Sequence, residues 1–276
     1  MPLHLQSITK DDQRPEYLAD LLTMAGESPD ELFVSEDRYI LSRFFLNDEV
    51  SQTPFGSIVF TMKVDDENKA LMIIDLDIVL SNENRTSLRF LALRNGSSDA
   101  NEYYDAETEE DNAHLELETV CRHIVRDEQL VDSCRDVSIS AFPFQLTVHE
   151  NIDAYNKWAG FGKGIKVRDT EYTVHGFSPH FMMPGGTLGA EKEEESFSYL
   201  LGTVRSWRDV RWKIGENALD FTVVWLDTAL GEIPAAMSRE VFDLTELKAG
   251  AIIAMNADIK ADLSRPEDFS KSKRDS

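Results

Sequence analysis

The chain has 276 residues, of which 42% are hydrophobic, and a formal net charge of −23 from 28 basic and 51 acidic side chains. This composition excludes global disorder, and the density of negative charge opposes contact with phosphate backbones and anionic lipids. The longest apolar run, Ala70–Leu80, contains two aspartates and is far shorter than the roughly 20 apolar residues of a membrane-spanning helix.

Two further features bear on the compartment. The N-terminal residues become polar without an apolar block, so no secretory signal is predicted. Cys121 and Cys134 form neither a CxxC pair nor a disulfide framework, which is typical of reduced thiols. We therefore expect a soluble cytoplasmic protein that makes no contact with membranes.

The N-terminal part of the chain predicts one helix and several strands. The helix is expected at Pro15–Ala25, with proline early in the helix and Gly26 just beyond its end. Strand-like runs of about ten residues follow, separated by polar turns, and predict an antiparallel meander. The runs are Arg38–Leu46, Phe55–Val64, Ala70–Leu80 and Thr86–Arg94.

The middle of the chain predicts a loop followed by helices and strands. Ser97–Asp111 is acidic and predicts a surface loop. Asn112–Glu128 has apolar residues at helical spacing and predicts a helix, and His149–Ala159 predicts a second helix. Strands are expected at Arg135–Val148 and Ile165–Phe177.

The last third of the chain predicts a compact β-unit whose elements run strand, strand, strand, helix, strand. This order, with Gly202 inside the first strand, resembles that of a small OB-like β-barrel. An OB barrel has five strands, so the fifth would come from Ile165–Phe177 or from a division of the last strand. The predicted elements are Tyr199–Val210, Leu219–Asp227, Glu232–Ser238, the helical segment Arg239–Leu247, and Ala251–Leu263.

Together these elements predict a β-rich α+β fold, in which an antiparallel-sheet domain with a few helices precedes a small OB-like β-barrel unit. Residues 1–198 carry a net charge of −21, whereas the rest of the chain is almost neutral. The expected organisation is an acidic α+β domain at 1–190, a linker at 191–198, an OB-like β-barrel domain at 199–265 and a flexible tail at 266–276.

The strongest local pattern is Thr203–Lys213, where basic residues alternate with two tryptophans. In a continuous strand, Val204, Val210 and Trp212 share the face that points to the barrel core. The opposite face then holds the predicted binding residues, which are Arg205, Trp207, Arg211 and Lys213.

Three interpretations of this surface stay open. The arginines pair with the acidic N-terminal domain, or the surface contacts a protein or peptide, or it binds single-stranded nucleic acid. The negative charge of residues 1–198 opposes the third interpretation for the full chain.

Two other groups are candidates for chemistry. Asp75 and Asp77 project from one face of a predicted strand, where they either face solvent, bind a divalent cation or share a proton. His175 and His180 frame a loop, without the GxSxG pattern of a serine nucleophile.

Metal and phosphate motifs are incomplete. His114, Glu118 and Cys121 lie on one side of a predicted helix but lack the HExxH pattern, so we predict no metal ion. Gly160–Gly164 follows a predicted helix and favours a helix cap rather than a phosphate loop. We predict no cofactor and no catalytic residue.

The leading functional prediction is a non-catalytic interaction or accessory protein with a protein partner, because no complete catalytic motif is present. One alternative is a hydrolase-type enzyme with a carboxylate and histidine site between the sheet and the second domain. The other is single-stranded nucleic-acid binding by the OB-like unit.

Overall fold

The structure, a computed structural model, describes most of the chain. The described residues are 5–10, 14–34, 39–65, 67, 69–95, 102–109, 113–120, 130–161, 164–167, 170–173, 176–184 and 197–263. The predicted tail, residues 191–196 of the predicted linker, Cys121 and His175 lie outside them.

Short helices accompany a structure made mainly of strands. The helices are α1 (Leu5–Ile8), α2 (Arg14–Met24) and α3 (Ile152–Trp158), of which α2 and α3 confirm the predicted positions. Asn151 caps α3, because its side chain accepts a hydrogen bond from the backbone of Ala154. None of the described helices has the length and apolar character needed to cross a bilayer.

The first sheet is antiparallel throughout and has the order β1-β2-β3-β4. Its strands are β1 (Glu31–Val34), β2 (Tyr39–Asn47), β3 (Pro54–Asp65) and β4 (Ala70–Leu80). One face, which includes Phe44, Ile58 and Ile78, packs in a core cluster with residues of α1 and α2. The predicted meander is confirmed for β2, β3 and β4, whereas its expected fourth member belongs to the second sheet.

The second sheet is larger and mixed. Its strands are β5 (Thr86–Asn95), β6 (Glu102–Thr108), β7 (His114–Val120), β8 (Cys134–His149), β11 (Met182–Pro184), β12 (Ser198–Ile214), β13 (Asn217–Thr228), β14 (Gly231–Met237) and β15 (Ile252–Asp262). A separate hairpin pairs β9 (Gly164–Val167) with β10 (Thr170–Thr173). The fold is therefore β-rich, with an antiparallel sheet as predicted.

Backbone pairing in the large sheet forms two closed circuits. One runs β12-β13-β14-β8-β15 and returns to β12, and the other runs β5-β6-β7-β15-β8 and returns to β5. Within these circuits only the β14–β8 and β15–β7 contacts are parallel. The long strands β8 and β15 belong to both circuits.

This pairing joins distant parts of the sequence. Strands from both sides of the predicted linker share one sheet and one core cluster, which contains Phe90, Ile139, Val204 and Ile253. The fifth strand of the C-terminal circuit is β8, and neither of the two segments that we predicted for that position supplies it.

The predicted single strand Ile165–Phe177 overlaps two short strands, β9 and β10, which pair with each other. Three other predicted elements have the wrong secondary structure. The predicted helix Asn112–Glu128 contains strand β7, because Leu115 and Leu117 are buried at the two-residue period of a strand. The predicted loop Ser97–Asp111 contains strand β6, which buries Tyr104 and Ala106 in the same way.

The third is the helical segment Arg239–Leu247, which forms a series of turns. The carboxylate of Asp243 accepts hydrogen bonds from the backbone and the hydroxyl of Thr245, and Ser238 accepts one from the backbone of Glu240. These side-chain contacts stabilise turns in place of a helix.

Candidate functional site

A β-bulge in strand β12 decides which way its side chains point. The pairing of β12 with β13 shifts between Val204 and Ser206, so the alternation changes phase at Arg205. Val204 is buried in the core cluster of the two circuits, whereas Val210 and Trp212 are buried against α2 and the first sheet. The sequence-based expectation that all three share one face is therefore wrong, because the bulge is not visible in the pattern.

The predicted binding residues nevertheless all lie on the outside of β12. Trp207 is 40% exposed, which is unusual for so large an aromatic ring. Arg205, Arg211 and Lys213 are exposed as well. We call these four residues the β12 surface.

An arginine and a second tryptophan lie beside the β12 surface. The guanidinium of Arg208 sits 5.8 Å from the ring centre of Trp225, at cation–π distance. The same guanidinium donates a 3.0 Å hydrogen bond to the carbonyl of Pro54. Arg208 thus links β12 to the start of β3.

Ion pairs neutralise much of the charge on the β12 surface. Arg205 pairs with Asp227, which also lies 3.6 Å from the imidazole of His180. Arg211 pairs with Glu49 at 3.1 Å and with Asp220 at 3.5 Å. Such exposed pairs contribute about 0–1 kcal/mol each, so a partner with its own carboxylates can displace them.

The turn between β2 and β3 anchors one end of the β12 surface. The carboxylate of Asp48 accepts a 2.8 Å hydrogen bond from the backbone N–H of Arg211, and Glu49 donates its N–H to the carbonyl of Arg211 at 2.7 Å. Hydrogen bonds from Ser51 and from Arg211 lower the pKa of Asp48 to about 2. Asp48 is therefore an ionised structural anchor at neutral pH.

A cavity of about 540 Å³ opens next to the β12 surface. Its walls combine apolar side chains with two arginines and several carboxylates, a mixture that suits a side chain of another protein better than a free anion. The lining residues are Asp48, Val50, Asp209, Val210, Arg211, Asp220, Phe221, Thr222, Ser238, Arg239 and Glu240.

The aspartate pair on β4 serves a different purpose from a surface site. Asp77 is 3% exposed and lies 3.1 Å from the ammonium of Lys260 on β15, which also contacts Glu118 on β7. Burial raises the pKa of Asp77 to about 7, Asp75 and Glu118 add to the rise, and Lys260 opposes it.

Lys260 is the centre of this buried group. Burial alone would lower the pKa of Lys260, but the carboxylates of Asp258, Glu118 and Asp77 together raise it well above its usual value. The group joins the first sheet to β7 and β15 through charges in the protein interior. The signal in the sequence that could have found it is the alternation of charged residues, Asp258, Lys260 and Asp262, along the predicted strand Ala251–Leu263.

The histidine and metal candidates do not come together in the described part of the chain. His180 lies 3.6 Å from Asp227, whereas Asp77 contacts Lys260. Neither the cavity next to the β12 surface nor a second cavity at the first sheet is lined by Asp75, Asp77 or His180. His114 pairs with Glu107, whereas Glu118 belongs to the Lys260 group. Among the described residues, no cluster of three potential metal ligands is present.

A second cavity of about 620 Å³ lies where the first sheet meets the end of β15. The guanidinium of Arg43, only 7% exposed, donates hydrogen bonds of 2.9 and 3.0 Å to the carboxylate of Asp262 and one of 3.2 Å to Ser57. These contacts pair a buried cation with a buried carboxylate, and the Nε of Arg43 lies 3.7 Å from the carboxylate of Glu31. This pair was not predicted from the sequence, since nothing in the pattern of β2 indicates a partner more than 200 residues away.

Comparison with known proteins adds no relative. A scan against protein-family models finds no matching family, and searches of curated proteins and of solved structures find no significant similarity.

Proposed function

We propose that the protein is a non-catalytic interaction protein that contacts a protein partner through the β12 surface. The main support is Trp207, an aromatic side chain left 40% exposed among basic residues, one of which, Arg211, lines a cavity. Tryptophan and arginine are the side chains most enriched at the energetic centres of protein interfaces.

The charge distribution also favours this surface over others. Most of the chain repels acidic partners through its net charge of −23, whereas β12 collects four basic residues between Arg205 and Lys213. Their present ion pairs are exposed and weak, so a partner can exchange with them at low cost.

The test is partner recovery with a double variant, Trp207→Ala with Arg211→Ala. It removes the ring and one cation, neither of which belongs to a core cluster, and should reduce recovery at least tenfold with little change in thermal stability. The matched control is Trp158→Ala with Arg89→Ala, because Trp158 is 62% exposed elsewhere and Arg89 is an exposed, ion-paired arginine. Equal recovery by the wild type and the β12 double variant would show that the surface is the wrong one.

We also propose that the circuit β12-β13-β14-β8-β15 is an OB-like barrel. In support, it has five strands, and its single parallel contact joins β14 to β8. The second circuit, β5-β6-β7-β15-β8, has the same order of antiparallel and parallel contacts.

An OB-like barrel makes single-stranded nucleic acid a second candidate ligand. The exposed ring of Trp207 beside arginines favours binding of single-stranded nucleic acid, whereas the net charge of −23 opposes it. The test is a gel shift of single-stranded DNA at low salt with the full chain, because β8 lies outside residues 199–265. A shift that Trp207→Ala abolishes supports this function, and the absence of any shift removes it.

A further inference from the structure

Every second residue of β12 points its backbone N–H and C=O away from β13, toward the outer edge of the strand. The backbone N–H and C=O of Arg211 both point away from β13, since they bond with Asp48 and Glu49. In an antiparallel pair, successive residues alternate between bonding the partner strand and facing outward. Trp207 and Asp209 are four and two residues before Arg211, respectively, so their backbone groups face the same outer edge.

Neighbouring segments occupy this edge at both of its ends. At one end Val204 exchanges two backbone hydrogen bonds of 2.8 Å with Gly250 and Ala251. At the other end Arg211 bonds with the turn between β2 and β3. Among the described residues, Trp207 and Asp209 have no backbone partner on the outer edge between these ends.

An open strand edge is a template for an added strand. The side chains along this edge specify which strand, because the exposed charged side chains of β12 are three cations, Arg205, Arg211 and Lys213, and one carboxylate, Asp209, which lies 3.7 Å from Arg239. A second copy of the chain would bring these like charges together: antiparallel pairing centred on Arg208 would set Arg205 against Arg211 of the other copy.

We infer that β12 binds a short, extended, acidic segment of a partner protein as an additional β-strand along Ser206–Val210. Backbone hydrogen bonds to Trp207 and Asp209 provide affinity, and carboxylates of the partner replace Asp227, Glu49 and Asp220 on the arginines. This inference rests on the proposed function and adds the chemistry of the partner and its mode of binding.

The binding experiment uses the full chain and a labelled synthetic peptide in which glutamate alternates with valine. The same peptide with lysine in place of glutamate is the charge control. Two variants of one position isolate the backbone contact, namely Asp209→Ala and Asp209→Pro. Both lack the carboxylate that bonds Thr222 and Arg239, but only proline lacks the outward N–H.

The expected result is that the acidic peptide binds, that the lysine peptide does not, and that Asp209→Pro binds about tenfold more weakly than Asp209→Ala, as one lost hydrogen bond implies. Hydrogen exchange of the wild-type chain gives a measurement that does not depend on the folding of a variant. The amides of Trp207 and Asp209 should become protected when the acidic peptide is added.

Several results would overturn the inference. Equal affinities of the proline and alanine variants, or no new protection of these amides, would exclude strand addition. Binding of neither peptide, or equal binding of both, would exclude an acidic strand, and protection that appears with protein concentration alone would identify a second copy as the occupant. If Trp207→Ala with Arg211→Ala still loses the partner protein in any of these cases, the proposed surface stands and only the mode of binding is wrong.

Discussion

The buried carboxyl of Asp77 makes the free energy of unfolding depend on pH in the direction opposite to that of a simple ion pair. Its pKa is about 7 in the folded chain against an ordinary value of 3.8. Between these values the unfolded chain releases a proton that the folded chain keeps, so stability decreases as pH rises. At about 1.4 kcal/mol for each pKa unit, the loss from this group is about 3 kcal/mol between pH 5 and pH 8.

The substitution Asp77→Asn keeps the volume of the side chain and removes its ionisation. The free energy of unfolding of the variant minus that of the wild type should therefore rise by about 3 kcal/mol from pH 5 to pH 8. Chemical denaturation at a series of pH values measures this difference. The companion substitution Lys260→Met should have the opposite effect, a loss of about 3–5 kcal/mol at pH 8 that shrinks at pH 5, because it removes the cation that the buried carboxyl of Asp77 contacts.

One outcome would refute this reasoning. If Asp77→Asn loses stability relative to the wild type as pH rises, Asp77 is an ionised partner of Lys260 and its pKa is lowered. A control for the sign is Asp243→Asn, where hydrogen bonds from Thr245 lower the pKa of an exposed carboxyl. That variant should lose its relative stability as pH rises through the acidic range, the reverse of the trend expected for Asp77.

Two further predictions concern packing and the second buried ion pair. In Gly202→Ala the new Cβ would lie 2.9 Å from the Cβ of Leu226, and the crowding should cost about 1–3 kcal/mol by chemical denaturation; an unchanged stability would show that strands β12 and β13 can move apart at this point. Arg43→Met should cost about 3–5 kcal/mol because it removes one partner of a buried ion pair, whereas Arg211→Met breaks only exposed pairs and should cost less than about 1 kcal/mol; equal losses would contradict this contrast.

Strand positions could be predicted where the alternation of apolar and polar residues was strong. The boundaries of β3, β4, β8 and β13 differ from the expected ones by a few residues at most. The predictions for the segments that form β6 and β7 were wrong because acidic and apolar residues are mixed there. Such a mixture is also compatible with a loop or an amphipathic helix, and only the burial of the side chains shows that it belongs to a strand.

Strand partners could not be predicted, because alternation states which face a residue occupies and not which strand lies beside it. The pairing of β8 with β15 joins residues such as Ile139 and Ala261, which are more than 100 positions apart. The Lys260 group and the Arg43–Asp262 pair depend on such pairings. Their charges were visible in the sequence, but their burial was not.

The β12 surface shows what the alternation of residues predicts and what it does not. Alternation alone placed Arg205, Trp207, Arg211 and Lys213 on the outside, and the structure agrees that they are exposed. The bulge at Arg205 could not be predicted from the alternation. Because of it, Val204 is buried in one core cluster and Val210 and Trp212 are buried in another. Whether these residues bind a partner stays a prediction.

The position of the bulge explains how one strand can serve both the fold and a contact surface. Before Arg205, strand β12 is paired on both sides, with β13 or β11 and with β15, and it closes the C-terminal circuit. After Arg205 it keeps only β13, and its other edge turns outward between the contacts made by Val204 and Arg211. An added residue is what ends pairing on one edge while leaving the hairpin intact. The exposed tryptophan and the open backbone groups therefore have one structural cause.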